Sequence, residues 1–461
     1  MSTPQEIVEA ALAASRSLGC VVIARSRSVA NLRWARSTLT TNGETVAESV
    51  SVIALVSVEG GVAAGSVTAS SPPAESVAEL VAAAEAAAVQ AGPAEDAADL
   101  AAGIGASSDW DAAPQLATSA SFTDLAPALG DVFGAARADG IEHFGYAEES
   151  AVTTYLGTST GTRLRFTGTE GRLELTAKSH DRSRSAWAGR AGRTLVGLDP
   201  HDADAELRRG LGWQANRIDV APGRHAALLT PSAVADLVVD LYWSSVARDA
   251  HEGRSVWSRA GGGTRIGETV ADPRVRLVSD PALPGLEAMP FVSVVGSSSA
   301  GSVFDNGLPV GAVDWIRDGV LTHLISTRHT AREAGLDFCP GVENLRLDVA
   351  GAEGSLDDLV ARTDDGLLVT CLWYNRVVDP QTLLLTGLTR DGVYVVRGGE
   401  VVGAATNFRF NDSPVDVLSR IADAGTTTPT LAREMGDYFN RAAMPPLLIR
   451  DFNFSTVSQA S

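Results

Sequence analysis

"LLLTGLTRDGVYVVRGGEVV", residues 383–402, is a run of apolar, β-branched and aromatic side chains with Asp391-Gly392 as its turn residues. Such runs between turn signals read as strands. The same texture recurs on the N-terminal side in "GLLVTCLWY" (366–374), "LRLDVAG" (345–351), "WIRDGVLTHLIST" (315–327) and "FVSVVG" (291–296). Two helices interrupt it. "PVDVLSRIADAG" (414–425) is short, and Thr230-Pro231-Ser232 starts a longer one with Val234, Leu237, Val238, Leu241 and Ser245 on one face. Residues 222–455 are therefore expected to form a large, mostly β domain with a few helices.

Earlier in the chain, helices and strands alternate. "FTDLAPALGDVFGAARADG" (122–140) is helical, and "AVTTYLGTSTGTRLRFTGTEGRLELTAKSHD" (151–181) reads as short strands with "GT" and "EG" turns, making residues 122–215 an α+β unit. Residues 93–121, rich in Ala, Asp and Ser, read as a linker over the surface. In residues 1–92, Thr3 caps a helix whose first turn holds Pro4 and whose face is Ile7, Ala11 and Leu12. Alternating segments follow, with hairpins expected at Asn42-Gly43 and at residues 59–61, and an alanine-rich helix closes the unit. The fold class is α+β, with antiparallel strands and helices in the N-terminal units.

The balance of charges narrows the partners. Lys and Arg number 37 against 56 Asp and Glu, a formal charge of −19. That field repels nucleic-acid phosphates and anionic membranes, so neither is expected as a partner. Cys20, Cys339 and Cys371 are odd in number and far apart, which fits reduced thiols in a cytoplasm and not a disulfide framework. The first residues hold acids and no continuous apolar run, so no signal peptide is expected. No uncharged apolar run reaches the roughly 18 residues that a membrane span requires.

His251-Glu252, in "LVVDLYWSSVARDAHEGRSVWS" (237–258), is the dipeptide that opens zinc-protease signatures. Ser255 and Val256 stand where H-E-x-x-H or H-E-x-x-x-H needs a second histidine. The plain reading is a solvated helix end beside Asp249 and Arg254. His323 and His329 have even spacing along an expected strand, and with Cys339 or Cys371 they are candidates for an alternative metal site. Cys371 beside His323 is a candidate thiol nucleophile, but its apolar setting makes an inert buried cysteine the simpler account. "AGGGTRIGE" (260–268) has the glycines of a phosphate loop without the Gly-Lys-Ser/Thr, and reads as a mobile surface loop. Asp305-Asn306 reads as a turn.

Three blocks together carry a family resemblance: "VVDPQTLLLTGLTRDGVYVVRGGEVVGAATNFRFNDSPVDVLSRI" (377–421), "VFDNGLPVGAVDWIRDGVLTHLISTRHTAREAG" (303–335) and "SVWSRAGGGTRIGE" (255–268). In them, and in its N-terminal hairpins and alanine-rich helix, the chain resembles the TldD/PmbA family of metallopeptidase subunits. In that family one kind of member carries H-E-x-x-x-H, which with a late cysteine holds a catalytic zinc, and the TldE (PmbA) kind lacks it and pairs with the first. Counting back from Ser255, the resemblance places the motif at Val238, Val239 and Trp243, and His251-Glu252 falls too late. The tail "PPLLIRDFNFSTVSQAS" (445–461) has no cysteine. The resemblance thus implies a non-catalytic TldE-like subunit, with no cofactor of its own. Zinc is expected in a TldD-like partner, and the pair is expected to act on unfolded peptides, held as an added strand at a sheet edge. Two alternatives stand beside it: a free-standing homodimeric peptide-binding protein, and a peptidase with a relocated metal site near His323, His329 and Cys339.

Overall fold

The computed structural model describes residues 2–458. Helix α1 (Pro4–Ala14) begins in a capping box: the Glu6 N–H donates to the Thr3 hydroxyl at 3.2 Å, and the Thr3 N–H donates to the Glu6 carboxylate at 2.8 Å. Strands β1 (Gly19–Ala35), β2 (Thr38–Val58) and β3 (Gly61–Ser70) follow, then α2 (Val77–Ala91). Next come α3 (Leu125–Ala138), β4 (Ile141–Thr158), β5 (Arg163–Ser179), β6 (Ser185–Gly192) and α4 (Pro200–Trp213). All six strands form one antiparallel sheet in the order β3-β2-β1-β4-β5-β6. Its seam is β1 against β4, in register from Val21 opposite Thr158 to Trp34 opposite Gly145. The segments 1–92 and 122–215 therefore each supply half of a single sheet.

Strand periodicity sends alternate side chains to opposite faces. Val22, Ala24, Val50 and Val52 lie beneath α1 and α2, and Ala30, Leu32, Trp34 and Leu175 beneath α3 and α4. Val21, Ile23, Ile53 and Leu156 point the other way, onto Phe291, Val303 and Phe304 of the C-terminal part. Residues 93–121 run along this sheet: the Ala94 N–H donates to the Val62 carbonyl at 2.8 Å, Ala106 bridges to Arg163, and Leu100 packs on Val21 and Ile23.

Two expected turns are not turns. The β1–β2 hairpin reverses at Arg36 and Ser37, with φ of 52° and 54°, while Asn42 and Gly43 sit inside β2 opposite Leu32 and Asn31. Glu170-Gly171 lies inside β5. There glycine serves a close approach, since a Cβ at Gly171 would stand 2.1 Å from the Thr194 backbone. The turn at Gly60-Gly61 forms as read, both residues with positive φ.

The C-terminal part begins with β7 (Gly223–Leu229), α5 (Pro231–Trp243) and α6 (Ala247–His251). Strands β8 (Val275–Ser279), β9 (Val313–Arg317) and β10 (Val320–Leu321) precede α7 (Arg328–Ala334), β11 (Leu345–Val349) and α8 (Leu356–Ala361). Then come β12 (Asp365–Val369), β13 (Leu372–Asp379), β14 (Leu384–Thr389), β15 (Val393–Arg397), β16 (Glu400–Ala404) and β17 (Phe408–Asp412). Helix α9 (Pro414–Ser419) leads to β18 (Ile421–Ala424), β19 (Thr428–Thr430), β20 (Ala442–Met444) and β21 (Leu447–Val457). One sheet runs β10-β9-β8-β11-β20-β19, and the other runs β13-β14-β17-β21-β7-β12-β15-β16 with β18 beside β21. Side chains of both sheets and of α5 share one core. "FVSVVG" forms only a bridge at Phe291, and Thr327 caps α7 where a strand was expected. The fold is α+β. Among the described residues no helix is long and apolar enough to cross a membrane.

Candidate functional site

Helix α5 is the centre of the site. Thr230 caps it, its hydroxyl accepting from the Ala233 N–H at 3.3 Å, and Pro231 takes the first turn. From Ala233 to Tyr242 every residue except Asp240 is buried. A helix apolar nearly all round belongs inside a protein, and α5 lies between the two sheets, touching β7 and β13 of one and β19 and β20 of the other.

The positions that the resemblance assigns to the zinc motif have two different surroundings. Val238 and Val239 are 1 % and 0 % exposed in the core. Trp243, at the helix end, lines a cleft of about 350 Å³ together with Phe291, Ile325, Phe338, Tyr438 and Phe439. Its ring meets Phe439 edge-on at 6.4 Å, and Tyr438 stands exposed beside it. Tyr242 fixes the floor, its hydroxyl donating to the Val342 carbonyl at 2.8 Å and accepting from the Val342 N–H at 2.7 Å. Zinc takes imidazole nitrogen, thiolate or carboxylate. Valine offers no lone pair, and the indole N–H only donates, so these residues do not fit a zinc ion. The cleft suits an apolar or aromatic side chain.

Sequence reasoning missed two carboxyl groups on the same helix. Asp236 and Asp240, one turn apart, face the segment that carries Glu434. Asp236 is fully buried; one carboxyl oxygen accepts from the Glu434 N–H at 2.9 Å and the other has no hydrogen-bond partner. Burial pushes its pKa well above the carboxylate range, with the Glu434 N–H pulling the other way. Burial, then the Glu434 charge, pushes Asp240 up to about 7, and Arg376 partly offsets them. Glu434 itself accepts from the Tyr374 N–H at 3.0 Å and pairs with Arg376 at 3.1 Å. The signal was present as two aspartates at i and i+4 in an apolar helix.

The remaining candidates are dispersed. His251 and Glu252 are exposed at the end of α6, where Glu252 pairs with Arg248 at 3.1 Å and also with Arg254. His323 lies in a loop, its Nδ1 2.8 Å from the Asp314 carbonyl oxygen, and His329 lies on α7, 3.3 Å from Glu333. Cys339 is buried, which pushes its thiol up to about 12. Among the described residues no group of three or more His, Cys, Asp or Glu side chains is placed to hold a metal ion, so His323, His329 and Cys339 are not brought together.

Cys371 is fully buried, and burial pushes its thiol up to about 11 although Arg433 donates to its sulfur at 2.7 Å. Arg433 lies between the rings of Trp187 and Trp373, at 5.0 and 5.1 Å, and pairs with Asp391 at 2.5 Å. Cys371 is thus protonated at neutral pH and packs as part of a structural cluster. Gly261 and Gly262 are exposed and Gly263 half-buried in a turn, all with positive φ. Asp305 and Asn306 do more than turn the chain: both are buried, Asp305 pairs with Arg328 at 2.6 Å, and the Asn306 side chain bonds both backbone groups of Val294.

Comparison with known proteins agrees with this architecture. A structure of TldE from Thermococcus kodakarensis superposes with a TM-score of 0.75 at 14% identity, over 97% of this chain and 99% of that one. A protein from Thermotoga maritima, described as a candidate modulator of a DNA gyrase, gives 0.73 at 16% identity over 94% and 96%. One of like description from Bacteroides thetaiotaomicron gives 0.72 at 14% over 98% of each chain. These likenesses establish the fold. No curated protein sequence matches the chain. The sequence model of the PmbA/TldA metallopeptidase C-terminal domain matches residues 222–456, which hold both C-terminal sheets and α5. On that match, spanning half of its length, the chain belongs to the TldD/PmbA family of metallopeptidase-related proteins.

Proposed function

We propose that this chain is the subunit without zinc ligands in a two-chain metallopeptidase, and that its α5 cleft receives unfolded peptide. The observation that carries this reading is the state of α5: valines 238 and 239 are locked in the core, and Trp243 lines the cleft where a ligand is expected. A metallopeptidase needs ligands for the ion and a base beside the metal-bound water, and α5 offers neither at these positions. The likeness along nearly the whole chain to a protein described as TldE supports the same assignment. A cytoplasmic companion bearing H-E-x-x-x-H supplies the zinc, the base and the chemistry. This chain supplies closure, because a reactive metal-bound water works best in a dry cavity. For the peptide backbone, β13 is an edge strand with Tyr374, Val377 and Val378 exposed, and strand addition there tolerates many sequences.

The test is cleavage of an unstructured peptide by this chain, by an H-E-x-x-x-H homologue from the same genome, and by the mixture with and without chelator. Zinc-dependent cleavage is expected from the mixture, with little or none from this chain. Chelator-sensitive cleavage by this chain alone, or a companion rate unchanged by mixing, overturns the proposal.

A further inference from the structure

A second cleft, of about 370 Å³, opens where the β5–β6 turn of the N-terminal sheet meets β15 and the chain after β16. Its lining includes Lys178, Arg182, Arg184, Arg217 and Arg390, against one acid, Asp391. Five cations in so small a space are unexpected in a chain with a formal charge of −19.

The partners of these cations leave most of the positive charge in place. Arg184 donates to the Leu211 carbonyl at 3.1 Å and Arg217 to the Ser183 carbonyl at 3.2 Å, bonds that orient a guanidinium without neutralising it. The Lys178 ammonium lies 5.8 Å from the centre of the Phe144 ring. Asp391 is already engaged, by Arg433 at 2.5 Å and the Ser185 hydroxyl at 2.7 Å, and Arg390 is 3.7 Å from it. Of the acids nearby, Glu142 pairs with Arg182 at 3.3 Å, and Asp181, which accepts from the hydroxyls of Ser179 and Ser183 at 2.6 and 2.8 Å, offsets part of the Arg184 charge. Like charges focused in a cleft between low-dielectric walls attract a counter-ion, and guanidinium groups favour oxygens of carboxylate or phosphate.

We infer that this cleft is a binding site for a small multivalent oxyanion, of phosphate or clustered-carboxylate type. The space exceeds one phosphate group, and Val393, Ala404 and Ala405 give part of the wall an apolar surface for an organic body. The site is independent of the α5 cleft and of the subunit reading.

The experiment is calorimetric titration of the full chain with pyrophosphate and, separately, with citrate, at constant ionic strength set by chloride. Saturable one-to-one binding of at least one probe is expected, together with a rise in Tm as the ligand stabilises the folded state. Pyrophosphate alone identifies the phosphate type, citrate alone the carboxylate type. Lys178→Gln with Arg217→Gln, or Arg182→Gln with Arg390→Gln as a second pair, should raise Kd tenfold or more. Arg346→Gln with Arg397→Gln removes the same charge elsewhere and should change Kd less than twofold. Absence of saturable binding by either probe overturns the inference. So does an equal loss in the control pair, which would show general attraction to surface charge.

Discussion

At Asp240 a single carboxyl group records the cost of placing polar atoms against a buried helix. The group is raised to about 7 in the folded chain, while an unfolded aspartate titrates near 4. Between those values the folded state keeps a proton that the unfolded state has released. The stability this group contributes is therefore full below pH ~4 and is lost as pH rises through ~7. Asp236, raised by burial as well, acts in the same direction. Asp240→Asn should raise stability at pH 8 by ~1–3 kcal/mol and have a much smaller effect at pH 4. Urea midpoints at the two pH values decide it, and an equal change at both rules out the titration. The apolar stripe of Val234, Leu237, Val238 and Leu241 hides this, although the two aspartates one turn apart signal it. A stripe argument assumes that the opposite face meets water, whereas α5 has a sheet on either side.

Among the elements, helix starts were the most legible features, because a cap is local chemistry. Thr3 and Thr230 hold their helices with their own hydroxyls, each followed by proline. Glycine was read less well, since the same residue serves turns and close approaches. Gly65 on β3 belongs to the second group: a Cβ there would stand 2.2 Å from the Ala88 nitrogen and 2.4 Å from the Ala84 oxygen, both backbone atoms of α2. The alanine-rich helix is thus a packing device, small enough to lie directly on the sheet. Gly65→Ala should destabilise the chain by ~1–3 kcal/mol, since backbone cannot step aside as a side chain does. Gly134 in α3 has open space around its Cβ position, and Gly134→Ala should stabilise by ~0.5–1 kcal/mol. Thermal denaturation of the two variants separates the roles, and a shift of the same sign in both would refute the distinction.

Across the whole molecule, the features hidden from the sequence are those made by distant pairing. No local pattern announces that β1 lies beside β4, or that the two C-terminal sheets close on α5 from both sides. That enclosure also bears on whether a zinc site could simply be put back. Val239 is fully buried and Val238 nearly so. A glutamate or imidazole there loses its water and meets apolar atoms, and a buried unpaired polar group costs a few kcal/mol. Trp243, 40 % exposed, has no such constraint. Val238→His and Val239→Glu should each lower stability by ~2 kcal/mol or more, and Trp243→His by ~1 kcal/mol or less. The triple variant should neither retain zinc after dialysis nor cleave peptide, because a core built around valine provides no hydrogen-bonding groups to hold and orient metal ligands. Denaturant midpoints and metal content of the three single variants and the triple test this. Stoichiometric zinc with cleavage by the triple variant would show that the fold kept a working metal scaffold beneath the valines, and that closure by a partner is not what this chain requires.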